Sequence, residues 1–322
     1  MRGLSWARFP LGQPNWPSAI ERPAPERNTG LDYRHDWSRR YPARLLRAMA
    51  LDNLTRPLAR AIAPATVRGA EYLAHLEAPV IFASNHASHL DTPLLLTTLP
   101  PRFRHRCVVA AAADYFFDRR WKAATWSLAL AAIPIDRARV NRRSADVAAD
   151  ILAERWNLII FPEGGRTSDG WAQEFRGGAA YLSLRSGAPV VPVYLHGTRR
   201  VLPKLDHDAR SGSGGENRGR RLRRAEVVVL FGPPLRPSRG EDARRFAARI
   251  ERAVDLLAAE TALGWWRARS ARQEAPGALH GPQAAPWRRA WALPADPTSA
   301  AKKAAWPKVR RSGAREQTTS RS

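Results

Sequence analysis

The sequence predicts an α/β domain, a mostly parallel or mixed sheet flanked by helices. Two observations carry this. Short apolar runs alternate with longer amphipathic stretches through the middle of the chain, and the amphipathic stretches fall between successive apolar ones, which suits parallel pairing. With 322 residues and 44% hydrophobic content, the chain can also fill the core that such a domain needs. Strands are expected at residues 80–83, 107–111, 133–135, 158–161, 190–195 and 226–231. Helices are expected at 92–99, 114–131, 141–155, 178–185 and 239–260. Ser238 with Glu241 has the spacing of a capping box for the last of these.

The flanks read differently. Residues 1–40 carry Pro, Arg and Trp without periodicity and are expected to be a flexible leader. From 41 to 63 a helical pattern places Arg40, Arg44 and Arg47 on one face and Leu45, Leu46 and Met49 on the other, with Pro57 interrupting it. A basic face of this kind suits anionic headgroups, and a solvated helix packed on the domain suits the pattern equally. Residues 41–260 therefore make one domain that includes these helices. Residues 206–224 are rich in Gly, Ser and Arg and read as a surface loop, and Gly212 to Gly215 lacks the ending of a nucleotide P-loop. From 264 to 322 the chain turns to Ala, Pro, Arg and Trp, with 12 Lys and Arg against 3 Asp and Glu, and is expected to be a disordered basic tail. Its tryptophans, among them Trp265, Trp266, Trp287, Trp291 and Trp306, fit a membrane interface or a nonspecific nucleic-acid tail.

Charge and hydropathy narrow the setting. Lys and Arg number 53 against 29 Asp and Glu, a net +24, which implies an anionic partner: nucleic acid, anionic lipid or phosphorylated small molecules. The leader has no uninterrupted apolar region of a secretory signal, and the longest apolar stretch, 123–135, is too short to span a bilayer. The expected location is peripheral, on the cytoplasmic face of a membrane. Cys107 is the single cysteine and reads as a core residue in a reducing compartment.

Chemistry concentrates in two segments. Ser84, Asn85, His86, Ala87, Ser88, His89, Leu90, Asp91 and Thr92 follow directly on an apolar strand, where α/β sheets place their ligands. His86 and Asp91 lie five residues apart across a turn into a helix. A carboxylate there can fix the imidazole tautomer and stabilise the imidazolium, giving a general base without a nucleophilic serine or cysteine. A chance pairing and a metal site using His86, His89 and Asp91 are the rival readings. His196 and His207 are isolated, so no metal is expected, and the chain has no Gly-x-Ser-x-Gly elbow.

The second segment runs Phe161, Pro162, Glu163, Gly164, Gly165, Arg166, Thr167 after the strand at 158–161. Two glycines whose backbone N–H groups can approach an anion, followed by an arginine, make the composition of a phosphate site. Taken alone, a tight turn with a solvated Arg166 accounts for it as well. Arg137 follows Ile133, Pro134, Ile135 and Asp136 at a third strand end.

These segments resemble the four blocks of the glycerolipid acyltransferase family, the family of 1-acyl-sn-glycerol-3-phosphate acyltransferases. Asn85, His86, Ser88 and Asp91 look like the first block, Ile133 to Arg137 the second, Phe161 to Thr167 the third, and Val191, Pro192 and Val193 the fourth. The resemblance implies His86 as base and Asp91 as its orienting partner. It implies a phosphate site made by Arg137, Glu163, Gly164, Gly165, Arg166 and Thr167, with Asn85, Ser88 and Pro192 in support. Gly165 stands where many members have threonine, and Arg176 where a lysine often follows the phenylalanine, which bears on the acceptor's identity. The implied reaction moves a fatty acyl group from acyl-CoA or acyl carrier protein to lysophosphatidic acid, giving phosphatidic acid without a cofactor. Glycerol 3-phosphate, a lysophospholipid or a glycolipid are alternative acceptors. A basic nucleic-acid-binding protein is the rival from another class, and its binding would fall steeply with salt.

Overall fold

The computed structural model describes residues 33–136, 142–167, 171–202, 225–270 and 279–280. Seven strands form one sheet: β1 (Ala65–Arg68), β2 (Ile81–Ser84), β3 (Cys107–Ala112), β4 (Ala132–Ile135), β5 (Asn157–Ile160), β6 (Val190–His196) and β7 (Val227–Phe231). Their order is β1-β7-β6-β2-β5-β3-β4. Every neighbouring pair is parallel except β6 with β7. The short helix Thr198–Val201 follows β6, and β7 pairs with β6 from Val193 opposite Phe231 to His196 opposite Val228.

The central strands are buried on both faces, as their near-continuous apolar sequences require. Ile81 and Ala83 of β2 point into one core with Leu158, Ile160 and Val190, against the helices Arg142–Ala153, Gly178–Ser186 and Ala243–Leu263. Phe82 points into the other with Ile159, Val191, Val193 and Phe231, beneath the helix Asp91–Thr98 and Leu51. Cys107 is buried in this second core, and burial pushes its thiol pKa upward.

Each strand expected from sequence is present within a residue or two of its bounds, and β1 is additional. It is a half-exposed edge strand whose Ala65, Thr66, Val67 and Arg68 show no apolar run. Pairing with β7 makes it a strand. The chain enters and leaves this region past Gly69, whose φ of +74° and approach to the Phe231 carbonyl leave no room for a side chain. The helix expected over 114–131 is two helices, Ala113–Phe116 and Arg120–Leu130, because the turn between them buries Phe117 against Tyr33. The last long helix starts at Ala243, with Asp242 accepting from Arg245 N–H. Ser238 and Glu241 do bond, one turn earlier, in the preceding loop.

The N-terminal helices bury one residue of the basic face and leave the apolar face exposed. The helix Tyr41–Ala50 turns Arg47 inward, where its Nη1 donates to the Ser38 and Leu128 carbonyls, and burial pulls its pKa down to about 10. Leu45, Leu46 and Met49 face outward, each roughly half exposed. Backbone carbonyls of the 3-10 turn Asp36–Arg39 and of the helix Arg120–Leu130 supply an inward-facing acceptor site, and a guanidinium fills it where an aliphatic side chain could not. A π-helical segment, Leu51–Thr55, then brings Asp52 onto Arg104 Nη2 at 2.7 Å and His105 Nε2 at 2.9 Å, before the helix Arg56–Ile62.

Two pieces of the expected tail are among the described residues: the helix Trp265–Ser270 and the pair Leu279 and His280, of which Leu279 is buried in the first core; residues 271–278 and 281–322 lie outside them. The expected leader contributes the turn Asp36–Arg39, and the Gly- and Arg-rich stretch 206–224 lies outside the described residues.

Candidate active site

β2 delivers the site. Its last residue, Ser84, is followed by a polar turn that enters the helix Asp91–Thr98, and both ends of the turn are pinned. Asn85 exchanges two hydrogen bonds with the Leu195 backbone of β6, donating from Nδ2 at 3.0 Å and accepting at Oδ1 at 2.8 Å. Ser88 Oγ donates to the Leu202 carbonyl at 2.8 Å and accepts from Leu90 N–H. Asp91, wholly buried, gathers three donors on Oδ2: Ala87 N–H at 2.7 Å, Ser88 N–H at 2.8 Å, and His86 Nδ1 at 2.8 Å. Two backbone N–H groups converge on this one oxygen, so it acts as an acceptor. Since that oxygen accepts, the proton of the His86 pair sits on Nδ1, and Nε2 is left to take a proton.

The loop after β5 forms the opposite wall. Phe161 stacks on the His86 ring, with centroids 4.1 Å apart and planes 22° off parallel. Glu163 Oε1 accepts from His86 N–H at 2.7 Å, its Oε2 accepts from Gln173 N–H at 3.0 Å, and Thr167 N–H donates to the His86 carbonyl at 3.1 Å. The histidine is thus held through its ring, its N–H and its carbonyl. Gly164 has φ +73°, and a side chain there would lie 3.1 Å from the Arg176 guanidinium, so glycine both permits the turn and lets the arginine approach. Arg166 is partly exposed and Thr167 is buried.

His86, Ser88, Asp91, Glu163 and Thr167 are therefore joined in one hydrogen-bonded unit, with Gly164, Gly165 and Arg166 on the connecting loop and Asn85 fastening the turn to β6. Pro192 lies apart from it, buried in β6 beside Ala83 and against Gly232. Arg137 lies outside the described residues. The end of β4, which precedes it, is on the same sheet edge as the end of β5 with β3 between. His89 stacks near Tyr115, at 6.3 Å between centroids. Among the described residues no group of three or more His, Cys, Asp or Glu side chains could hold a metal ion.

Residues 64–196 match the family model described as Acyltransferase. This segment is an acyltransferase-family domain. A 1-acyl-sn-glycerol-3-phosphate acyltransferase of Chlamydomonas reinhardtii is 30% identical over 189 residues, 57% of this chain and 50% of the relative. The alpha form of that enzyme from Bos taurus is 27% identical over 191 residues, 58% of this chain and 60% of the relative. A lyso-ornithine lipid O-acyltransferase of Pseudomonas aeruginosa is 29% identical over 196 residues, 57% of this chain and 69% of the relative. The chain thus spans about half the length of the first of these relatives.

Within this domain, neither the Phe161 stack nor the role of Gln173 has a sign in the residue pattern. The stack depends on the angle at which β5 meets β2, and Gln173 acts through its backbone N–H, which has no side-chain signature. Arg176 was visible as a basic residue, but its approach to Gly164 depends on the return of the chain after residue 171.

Glu163 carries a testable consequence. Burial raises its pKa from 4.5 to about 7, opposed by the N–H groups of Gln173 and His86. A carboxyl whose folded pKa exceeds its unfolded one binds a proton more readily in the folded state, so its contribution to stability falls as pH rises from about 4.5 to about 7. In Glu163→Gln nothing titrates, and the amide sets one donor against a backbone donor. Urea unfolding at pH 5 and pH 8 should show the stability of wild type relative to Glu163→Gln dropping at the higher pH, on the order of a few kcal/mol. A pH-independent difference would remove the buried, titrating role assigned to this carboxyl.

Proposed function

We propose that the chain transfers a fatty acyl group from a thioester, acyl-CoA or acyl carrier protein, to the free hydroxyl of a 1-acyl-glycerol-3-phosphate. The observation that carries this reading is the 2.8 Å contact between His86 Nδ1 and the buried Asp91 carboxylate. With Nδ1 so engaged, Nε2 removes the proton of the acceptor hydroxyl as its oxygen attacks the thioester carbonyl carbon. A C–O bond forms and the carbonyl electrons move to oxygen. When the tetrahedral intermediate collapses, the C–S bond breaks and the leaving thiolate takes the proton back from Nε2. Asp91 stays ionised throughout and stabilises the imidazolium between the two steps. The thioester is already activated, so no covalent enzyme intermediate is needed, and position and charge do most of the work.

Arg166 and Arg176, on the two strands of chain around Gly164, supply guanidinium groups suited to the acceptor's phosphate. The lyso-ornithine lipid relative favours a second reading in which the acceptor is another lysolipid. No helix among the described residues is long and apolar enough to cross a membrane. The outward Tyr41, Leu45, Leu46, Met49, Leu54 and Leu58 suit shallow insertion at a bilayer surface, and the net positive charge suits an anionic one.

Purified protein with labelled acyl-CoA and a panel of lysophosphatidate, glycerol 3-phosphate, lysophospholipid and lyso-ornithine lipid tests the reaction. His86→Ala should lower turnover by at least about a thousandfold with the fold retained, since base and positioning are lost together; full activity in that variant rules the mechanism out. Arg166→Ala should raise KM for the phosphate acceptor about tenfold or more, in line with a lost charged hydrogen bond. An unchanged KM argues that phosphate is bound elsewhere. Leu45→Glu with Leu46→Glu should weaken sedimentation with phosphatidylglycerol vesicles, and undiminished binding would move the membrane contact off this helix.

A further inference from the structure

The loop at 171–176 spends its backbone N–H groups on four different partners. Ala172 N–H donates to the Leu279 carbonyl at 3.0 Å, Gln173 N–H to Glu163 Oε2, Phe175 N–H to Glu251 Oε1 at 3.3 Å, and Arg176 N–H to the Pro162 carbonyl at 3.0 Å. The first of these partners lies a hundred residues away, beyond the segment that matches the acyltransferase family. Leu279 is buried among the first core's side chains, and its N–H donates to Asp255 Oδ1 at 2.7 Å. His280 returns to the same loop: its Nδ1 lies 2.9 Å from the Ala172 carbonyl oxygen and its Nε2 2.8 Å from Glu251 Oε1. Both groups of Ala172 are thus held by two consecutive residues of the C-terminal segment.

We propose that Leu279 and His280 are positioning residues, a clamp that holds the loop at 171–176 against Glu163 and through Glu163 sets the place of His86. The chain of contacts is short and continuous. The clamp fixes Ala172; the next residue, Gln173, donates to Glu163 Oε2; and Glu163 Oε1 receives His86 N–H. The same loop, with Glu163, lines a cleft of about 510 Å³. The inference rests on the reading of His86 as the base.

The clamp has a titratable part. A carbonyl and a carboxylate oxygen only accept, so His280 satisfies both when each ring nitrogen carries a proton. The ionisable groups facing it are Glu251 and Asp255 from the helix Ala243–Leu263, and Glu163 from the loop after β5. The hydrogen bond to Glu251 raises the imidazole pKa above 6.5, against the opposing effect of burial. The grip is therefore complete below pH 6.5 and is released as pH rises through the raised value.

Amide hydrogen exchange and steady-state acyl transfer on the full chain test the clamp together. In His280→Ala, protection of the Ala172, Gln173 and His86 amides should fall at least about tenfold and kcat should drop about tenfold, with KM for the acceptor within about twofold. His280→Gln keeps a donor that cannot titrate. It should recover part of the protection and lose the wild type's decline in protection at His86 between pH 6 and 9. Protection lost at Ala172 with the His86 amide and kcat untouched would make the contact a local anchor only and overturn the proposal. Should His280→Ala fail to fold, the wild-type titration decides: the His86 amide must lose protection alongside Ala172, and a flat His86 profile is contrary. A wild type inert toward every acceptor would remove the acyl-transfer reading, while the exchange measurements would still decide the clamp.

Discussion

A buried carboxylate oxygen that gathers an imidazole and two backbone N–H groups is the constraint around which the site is built. Asp91 stands at the first position of the helix Asp91–Thr98, and its Oδ2 closes the preceding turn on itself by accepting from Ala87 and Ser88. Hydrogen bonds to an ionised group contribute roughly 1.5–3 kcal/mol each, so this turn has one strongly preferred shape, and the His86 ring is part of it. Asn85 and Ser88 fasten the same turn to β6 and to Leu202, leaving the histidine little freedom to leave its place. Glu163 then reaches across from β5 to hold the His86 N–H, which couples the two central strands at the point where their chemistry meets.

The sheet order explains why these segments, 77 residues apart, face each other. β2 and β5 are direct neighbours, parallel and in register from Ile81 with Leu158 to Ala83 with Ile160, so the residues that follow them emerge side by side at one edge. That much was legible: the apolar runs marked the strands, the spacing of His86 and Asp91 marked the pair, and the Glu-Gly-Gly-Arg loop marked the facing wall. The antiparallel entry of β7 and the edge strand β1 were not, because both depend on pairings that no local pattern encodes. The outward turn of Leu45, Leu46 and Met49 was also hidden, since periodicity separates two faces of a helix without saying which one meets the protein. Arg47 decided that question, because only a guanidinium satisfies the carbonyls of Ser38 and Leu128 beneath the helix.

The contacts of Leu279 and His280 were hidden for a related reason. Ala, Pro, Arg and Trp without periodicity gave no reason to expect order beyond residue 264. One buried leucine and one histidine with acceptors at both ring nitrogens are nonetheless enough to attach the Leu279 and His280 pair to the domain. Two residues carry almost no weight in a composition argument, yet they meet the loop that supports Glu163. The reach of the clamp to the site runs through the backbone groups of Ala172, Gln173 and His86, joined by the Glu163 carboxyl.

The most direct test of the account is the protonation of the His86 ring itself. Nitrogen-15 NMR of labelled wild type, above the pH at which the ring is charged, should show the proton on Nδ1 and a bare Nε2. In Asp91→Asn the ring should lose that preference. A wild-type His86 carrying its proton on Nε2, or one indifferent to the change at Asp91, would contradict the account.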